Sequence, residues 1–375
     1  MIYPIKINIR NLCSLVFILL ILTNCSSSTS SSADEEEDPP PVPENAVWHE
    51  LGNGMDNAVQ AVIVFNDYLI AGGSFTEAGG QTANRVARWN GSEWQPLGGG
   101  MGNSVYAFTE YSGSLIAAGG FSTVEDQEAW YIARWDGSAW QTMNTEMNWP
   151  VLALTTFEGD LIAGGGFTAA GGKTALSIAR WDGSEWHPIG EGMSAGGINA
   201  LAVYEGDLIA AGGFARADGN SVNNIARWDG TTWHAMGDGM DREVFTLAVF
   251  DGDLIAGGEF TNAGAGAANR IARWDGEIWQ PMGEGMNDRG SHRPSVRDLA
   301  VHKGSLFAGG LFTSADGETA NRIARWDGTA WQPVESGLNA GVFALTSFNG
   351  SLITGGVFTA ADGAEANRIA GWGSQ

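Results

Sequence analysis

The sequence predicts an all-β protein, a seven-bladed β-propeller of four-stranded antiparallel blades, because one unit recurs seven times along the chain. Each copy contains an invariant Phe, and the steps between successive copies are 46, 46, 47, 46, 52 and 46 residues. A Leu always lies six residues before the Phe, and a Trp always lies fourteen residues after it. A period of about 40 to 50 residues is typical of repeat folds. The seven anchors are Phe75, Phe121, Phe167, Phe214, Phe260, Phe312 and Phe358.

Each copy predicts four short strands, called a to d in chain order. In the fifth copy, an apolar run at 243–250 (strand a) leads through a tight Asp-Gly turn into 253–260 (strand b), whose Gly-Gly pair permits close backbone approach. A loop rich in Gly and Ala precedes 269–274 (strand c), and a second Asp-Gly turn precedes 279–282 (strand d). Four antiparallel strands describe one propeller blade. A solenoid is the competing interpretation, but two tight hairpins alternating with two longer loops favour a blade.

The two ends of the repeat region predict how the ring closes. The last copy supplies strands a, b and c over 342–372, and Gln375 follows before any strand d. Near the other end, 48–52 has the pattern of a strand d without strands a to c before it. Trp48 also lies 27 residues before Phe75, the spacing found in complete copies. We therefore expect the N-terminal strand to pair into the last blade.

The repeat pattern resembles known propeller repeats. The run Leu69-Ile70-Ala71-Gly72-Gly73, followed by Trp89 and Trp94, is similar to the kelch repeat, with Trp where kelch repeats tend to have Tyr. The Gly-Gly-x-Phe-Thr and Asn-Arg-Ile-Ala-Arg patterns resemble more closely the delta-60-type propeller repeats of bacteria and the similar repeats of fungal cortical polarity-marker proteins. The resemblance covers 48–372. It implies the architecture and little about activity.

Residues 1–24 resemble the signal peptide of a bacterial lipoprotein. Lys6 and Arg10 form a basic region before an apolar run at 12–22, which is shorter than the roughly 20 apolar residues of a membrane-spanning helix. The run ends in Leu-Thr-Asn-Cys, which is similar to a lipobox except for Asn24, where the motif has Gly, Ala or Ser. The prediction is cleavage before Cys25 and lipidation of its thiol. An ordinary secretory signal and an uncleaved anchor are the alternatives.

Residues 25–45 predict a disordered tether in front of the propeller at 46–375. They contain a Ser/Thr tract, five consecutive acids at 34–38 and four prolines, a composition that cannot bury apolar surface. Acids close behind a lipidated Cys also resemble surface-export signals of some bacterial lipoproteins. The expected location is therefore the outer membrane of a bacterial envelope, with the propeller facing either the periplasm or the cell surface.

Charge and motifs exclude several classes of function. A net charge of −24 argues against binding to nucleic acid and to anionic membrane surfaces, so membrane contact is expected through the lipid anchor alone. The propeller contains no Cys, which excludes a disulfide and the Cys–Tyr copper centre of the galactose-oxidase group. No G-x-S-x-G or H-E-x-x-H motif is present. A carboxylate pair for glycoside hydrolysis stays open. We expect a monomer.

A ligand site is expected where the copies differ, on the face that carries the b–c and d–a loops. The largest difference is a six-residue insertion between Met286 and Val296. Its polar residues could contact a ligand, or the insertion could simply be a tolerated surface loop. The candidate residues are Asp288, Arg289, His292 and Arg293.

The second difference lies in the second copy. Trp130-Tyr131 replaces the Asn-Arg pair of most other copies, and Trp149 lies in the next d–a loop. Aromatic rings with carboxylates nearby would suit stacking on sugar rings. Local packing between neighbouring blades is the alternative explanation.

No metal site or cofactor is predicted. Asp218, Asp316 and Asp362 recur in three b–c loops and could ligate calcium, but no D-x-D-x-D-G loop is present, and Asp-Gly turns explain them. His187 and His234 directly follow the strand d Trp, as His49 does, where other copies have Gln. A position that accepts Gln is a repeat position on the rim rather than a metal site.

Two functions remain open at this point. The first is a lipoprotein of the cell envelope that displays a non-catalytic propeller for binding an unknown protein or other ligand on its loop face. The second is a carbohydrate-binding or carbohydrate-active surface propeller, such as a glycoside hydrolase or lyase.

Overall fold

The computed structural model describes residues 45–143, 147–194, 196–288, 290 and 293–374. The predicted signal peptide, Cys25 and nearly all of the predicted tether lie outside these residues. The described chain folds into strands and turns. Within it, no helix has the length and apolar character needed to cross a membrane.

The described residues contain seven four-stranded antiparallel sheets, and we number them by their strand a in chain order. Strands a are Val59–Phe65, Val105–Tyr111, Val151–Phe157, Ile198–Tyr204, Val244–Phe250, Val296–His302 and Val342–Phe348. Strands b are Tyr68–Gly73, Ser114–Gly119, Asp160–Gly165, Asp207–Gly212, Asp253–Gly258, Ser305–Gly310 and Ser351–Gly356. Strands c are Val86–Trp89, Ile132–Trp135, Ile178–Trp181, Ile225–Trp228, Ile271–Trp274, Ile323–Trp326 and Ile369–Gly373. Strands d are Trp94–Pro96, Trp140–Thr142, Trp186–Pro188, Trp233–Ala235, Trp279–Pro281, Trp331–Pro333 and, in sheet 7, Val47–Glu50.

Short hairpins occupy the b–c loops. Their strands are Glu77–Ala78 with Gln81–Thr82, Thr123–Val124 with Gln127–Glu128, Ala169–Ala170 with Lys173–Thr174, Arg216–Ala217 with Asn220–Ser221, Asn262–Ala263 with Gly266–Ala267, Ser314–Ala315 with Glu318–Thr319, and Ala360–Ala361 with Ala364–Glu365. Each hairpin also pairs with the d–a loop that precedes strand a of the same sheet, as Ala78 does with Met55. In sheet 6 the inserted loop extends this bridge to a strand, Met286–Asn287. The b–c and d–a loops therefore share one face, as predicted.

The tight a–b turns follow from their residues. In sheet 5 both central residues have positive φ, 50° at Asp251 and 85° at Gly252. A two-residue turn of this kind matches the twist of the flanking strands, and Asp-Gly adopts it at low cost. The turn fixes the register in which Phe250 faces Asp253.

The strands a of consecutive sheets lie next to one another, and strand a of sheet 7 also lies next to strand a of sheet 1. In sheet 7, Val47–Glu50 pairs antiparallel with Ile369–Gly373, and Trp48 faces Trp372. The strand from the beginning of the described chain thus occupies the outer edge of the last sheet.

The two glycines of strand b have different roles. A Cβ on the second one would lie 2.0 to 2.4 Å from the carbonyl oxygen of the residue before strand a, so this position requires Gly in all seven sheets. A Cβ on the first would meet side chains of the next sheet, as Gly164 meets Ile198 at 2.6 Å. Sheets 2 and 4 carry Ala118 and Ala211 there, which shows that side chains give way where a backbone carbonyl does not.

The core lies between neighbouring sheets. One cluster joins Ile209 and Ala211 of sheet 4 to Leu254 and Phe260 of sheet 5, and the anchor Phe is fully buried in every copy. Towards the outside, the Trp residues of strands c and d pack at centroid distances of 5.3 to 5.6 Å in sheets 1 to 6. The indole of Trp279 donates a hydrogen bond to the Met236 carbonyl of the preceding sheet, at 3.0 Å. The Trp residues therefore tie successive sheets together.

Candidate binding site

Every strand a contains a bulge at its second residue. In sheet 1, Val59 pairs with Gly73 and Ala61 pairs with Gly72, so Gln60 has no partner in strand b. A bulge locally redirects the side chain of the extra residue. The seven bulged residues are Gln60, Tyr106, Leu152, Asn199, Phe245, Arg297 and Phe343.

These seven residues line one cavity of about 320 Å³, which we call the central cavity. Each sheet contributes one of them, close to the end of the sheet where the d–a loop enters strand a. Six different residue types occur among the seven, whereas the residue just before each bulge is always Val or Ile. The repeat therefore presents a different side chain to the central cavity from almost every copy.

Sequence reasoning missed this site. The signal was present in the sequence, because a conserved Val or Ile is followed in each copy by a residue that differs. Period-2 alternation in strand a does not reveal it, since the bulge that turns this residue into the cavity comes from the pairing with strand b.

Arg297 is the cation of the central cavity. The carbon of its guanidinium lies 4.0 Å from the centroid of the Phe245 ring, and its Nε donates a 2.9 Å hydrogen bond to Ser295 Oγ. Loss of solvent lowers the pKa of Arg297, while the carboxylates of Glu259 and Glu243 act in the opposite direction. A guanidinium stays protonated at neutral pH. The site therefore contains a positive charge in a fixed orientation.

Asp298, the next residue, has a structural role. Its Oδ1 accepts hydrogen bonds from Leu299 N (2.9 Å) and Thr246 Oγ1 (3.2 Å), and its Oδ2 accepts one from Leu345 N (2.7 Å). Burial raises the pKa of Asp298 to about 6 despite these bonds. Because both oxygens are occupied by strands a of three sheets, the carboxylate joins those strands.

The predicted aromatic site is only partly assembled. Trp149 is the most exposed of its residues, at 62%, with its indole against Gly166, and Trp130 is 40% exposed. Tyr131 instead packs against the core cluster between sheets 2 and 3 that includes Met147. No ring contact joins the three side chains, all of which are described. The local-packing explanation therefore fits Tyr131, and the two tryptophans remain accessible.

The four residues predicted to form a site in the inserted loop are not brought together among the described residues. Asp288 accepts a 2.8 Å hydrogen bond from Thr313 Oγ1. Asp56 and Asp241 accept the same bond from Thr76 (2.6 Å) and Thr261 (2.7 Å) in regular copies.

Asp288 thus preserves a repeat contact at the start of the insertion. Arg293 is exposed. Arg289 and His292 lie outside the described residues.

The b–c loop carboxylates bind backbone groups. Asp218 accepts a hydrogen bond from Glu191 N (2.7 Å) and Asp362 from Ser336 N (3.3 Å). Asp316 accepts from Gly285 N (3.0 Å) and Trp331 N (2.7 Å). Each of the three has positive φ, as a residue before Gly in such a turn requires. Their geometry agrees with the predicted turn role.

Two histidines of strands d contact the same turn Asp that Gln contacts in other copies. His187 Nε2 lies 2.8 Å from Asp182 Oδ2 and His234 Nε2 lies 2.7 Å from Asp229 Oδ2, just as Gln280 donates to Asp275. His49 lies against Gly371. In sheets 3 to 5 the strand c arginine pairs with the Asp that begins strand b, as Arg180 does with Asp160 at 2.5 Å.

One cluster on the rim has the composition of a metal site, namely Asp182, Glu185 and His187. All three side chains already have partners. A backbone hydrogen bond from Glu185 and the Ser184 hydroxyl hold the pKa of Asp182 well below its usual range, and Glu185 forms a 2.8 Å ion pair with Lys173. The hydrogen bonds of the turn and the ion pair therefore account for the positions of the three side chains.

Comparison with known proteins gives the class of the fold. Residues 69–91 match the family described as "Domain of unknown function (DUF5122) beta-propeller". No curated protein matches the chain.

Among solved structures, the chain is similar to U3-55K, with 12% identity, a TM-score of 0.58 and coverage of 88% of this chain and 100% of that one. It is also similar to the WD40 repeats of RRP9, with 12% identity, a TM-score of 0.57 and coverage of 90% and 99%. For the WD40 propeller of Doa1 the values are 14%, 0.54, 88% and 97%. Identities this low show the fold alone. The protein is a β-propeller of four-stranded antiparallel sheets, and the predicted fold class is confirmed to that extent.

Proposed function

We propose that this protein is a non-catalytic binding protein, with its ligand site in the central cavity of a closed, seven-bladed propeller. Closure is supported by Val47–Glu50, which completes the sheet of the last copy. It is also supported by the contact between strands a of sheets 7 and 1. The fold does not assign a function by itself, so the binding role is argued from the residues of the cavity.

The observation that carries the proposal is the variation at the bulge. Six residue types occupy this one inward position, while the residue beside it is always Val or Ile. A ligand without sevenfold symmetry needs different contacts from each sheet. Asp298 does not act as an acid or base in this scheme, because its two oxygens are held by backbone and hydroxyl donors.

The proposed location is the bacterial outer membrane. A lipid on Cys25 would anchor the protein, and the acidic, proline-rich segment 25–45 would tether the propeller to it. The kelch-like and delta-60-like patterns fit such a displayed propeller. Metabolic labelling with a fatty acid tests the anchor. We expect label in the wild-type chain and none in Cys25→Ser, and persistent labelling of the variant would reject lipidation there.

A carbohydrate-binding or carbohydrate-active propeller is the second candidate, and it is favoured by the exposed rings of Trp149 and Trp130. A soluble 46–375 fragment would be tested on a glycan array and for hydrolysis. Binding that is lost in Tyr106→Ala and kept in the rim variant Gln332→Ala would support the central cavity. Turnover would contradict a non-catalytic role, and failure to bind any polysaccharide would contradict the carbohydrate candidate.

A further inference from the structure

We propose that the central cavity binds the carboxylate of an acidic sugar, with Arg297 as the carboxylate-binding residue and the neighbouring rings as the platform for the sugar ring. The inference rests on the proposed binding role of the cavity and adds the chemical class of the ligand.

Arg297 is oriented before any ligand arrives. Phe245 supports one face of the guanidinium at 4.0 Å, and Ser295 Oγ accepts from Nε at 2.9 Å. Across the described residues, Arg297 makes no other hydrogen bond and no ion pair. Its terminal amino groups therefore remain available as a two-pronged donor, the geometry that binds a carboxylate in bidentate fashion.

A partly desolvated cation without a counterion favours an anionic partner, because charge pairing offsets the loss of solvent. Two acids are near, but neither neutralises Arg297 by contact. Glu243 packs its side chain over Gly213 of the adjacent sheet, and Glu259 acts from a distance.

These two acids also favour a monoanion over a dianion. Repulsion grows with the charge of the ligand, and a chain with a net charge of −24 opposes a second negative charge in the same cavity. A carboxylate therefore suits this site better than a phosphate.

The other walls suit a hydroxylated ring. Tyr106 and Phe343 present aromatic surface, on which the apolar face of a sugar ring can stack. Gln60 adds a polar amide side chain to the wall of the cavity. Asn199 donates its amide to the Val244 carbonyl (3.2 Å), which leaves its own oxygen to accept a hydroxyl. A volume of about 320 Å³ is at the small end for a ligand site, so it admits one ring.

The test is binding of glucuronate and glucose to the full chain in detergent, measured by calorimetry and ligand-observed NMR. We expect glucuronate to bind and glucose to bind at least about tenfold more weakly, since one charge-assisted hydrogen-bonded pair is lost. Arg297→Ala should weaken glucuronate by about tenfold to a hundredfold. Arg134→Ala, at an exposed position of strand c in sheet 2, is the matched control and should bind like the wild type. Thermal melting checks that each variant is folded.

Oligomers with a uronate at one end distinguish a free acid from a polysaccharide terminus, and tighter binding of the oligomer identifies the terminus. Equal affinity for glucose and glucuronate, or unchanged binding by a folded Arg297→Ala, would overturn the inference. So would preference for a peptide with a free C-terminal carboxylate. Any ligand whose binding depends on Tyr106 but not on Arg297 would overturn the carboxylate assignment and leave the proposed function standing. If no cavity substitution alters binding of any ligand, both fail.

Discussion

The inner edge of each sheet is strand a and the outer edge is strand d, and the two edges differ in how much their residues vary between copies. At the outer edge, the Trp pair of strands c and d recurs in sheets 1 to 6 with nearly the same geometry, and His replaces Gln without changing the hydrogen bond. At the inner edge, the bulged residue changes from Gln60 to Tyr106 and onward in almost every copy. The difference teaches that invariance in this protein identifies residues that face other parts of the chain. At the inner edge, the residues that vary are the ones that line the central cavity.

The largest expected effect is at the outer edge. Trp279→Ala should destabilise the protein by about 3–5 kcal/mol, because it empties a buried site and removes the indole hydrogen bond to Met236. Chemical denaturation measures the loss. Ligand binding by the folded fraction should be unchanged, and a specific binding defect at full folding would contradict the division between the two edges. The matched inner-edge variant Tyr106→Ala should lose binding with a smaller loss of stability.

The second prediction concerns Asp298, whose carboxyl group joins strands a of sheets 5, 6 and 7. Burial raises the pKa of Asp298 to about 6, above the roughly 3.9 of an unfolded Asp. The folded state therefore favours the protonated acid. Its stabilising contribution is complete below about pH 4 and is lost as the pH rises through about 6.

Asp298→Ala restores the residue found in five other sheets. Relative to wild type, it should gain up to about 2–3 kcal/mol of unfolding free energy between pH 4 and pH 7. Paired denaturation curves at the two pH values measure this gain. Parallel pH profiles for the two proteins would show that the carboxylate does not titrate as argued.

The third prediction separates the two glycines of strand b. Gly165→Ala places a Cβ 2.4 Å from the Pro150 carbonyl oxygen and should cost about 2–3 kcal/mol. Gly164→Ala meets only side chains and should cost less than about 1 kcal/mol, since Ala118 and Ala211 occupy that position in sheets 2 and 4. The melting temperatures of the two variants give the comparison. A larger loss for Gly164→Ala would show that packing against the next sheet, rather than the carbonyl, selects Gly.

The smallest effect is at the rim. His187→Gln should change stability by less than about 0.5 kcal/mol, because Gln makes the same bond to the turn Asp in three other sheets. Removing the partner, by Asp182→Ala, should cost more, since Asp182 also binds the Ser184 and Glu185 amides. If His187→Gln proved as costly as Asp182→Ala, the rim cluster would need a role beyond the turn.

The sequence predicted the scaffold well because repetition averages out local ambiguity. Seven copies of Phe and Trp at fixed spacing, with recurring Gly-Gly and Asp-Gly pairs, predict the period, the strands and the tight turns. The site was predicted less well, since the largest sequence differences drew attention to the inserted loop and to the tryptophans. Asp288 repeats a contact made by Asp56, and Tyr131 packs against the core between sheets 2 and 3. Each copy contributes only one residue to the cavity, and successive contributions lie about 46 residues apart in the sequence.

By itself the sequence determined the repeat unit, its four strands and its tight turns, because these depend on local sterics and short-range pairing. The tertiary structure decided which residues face one another. A bulge at the second residue of strand a turns that side chain away from the sheet, and the neighbouring arrangement of seven strands a brings the seven side chains together. Arg297 came to lie against Phe245 of the adjacent sheet because association of the sheets, rather than proximity in sequence, defines the central cavity.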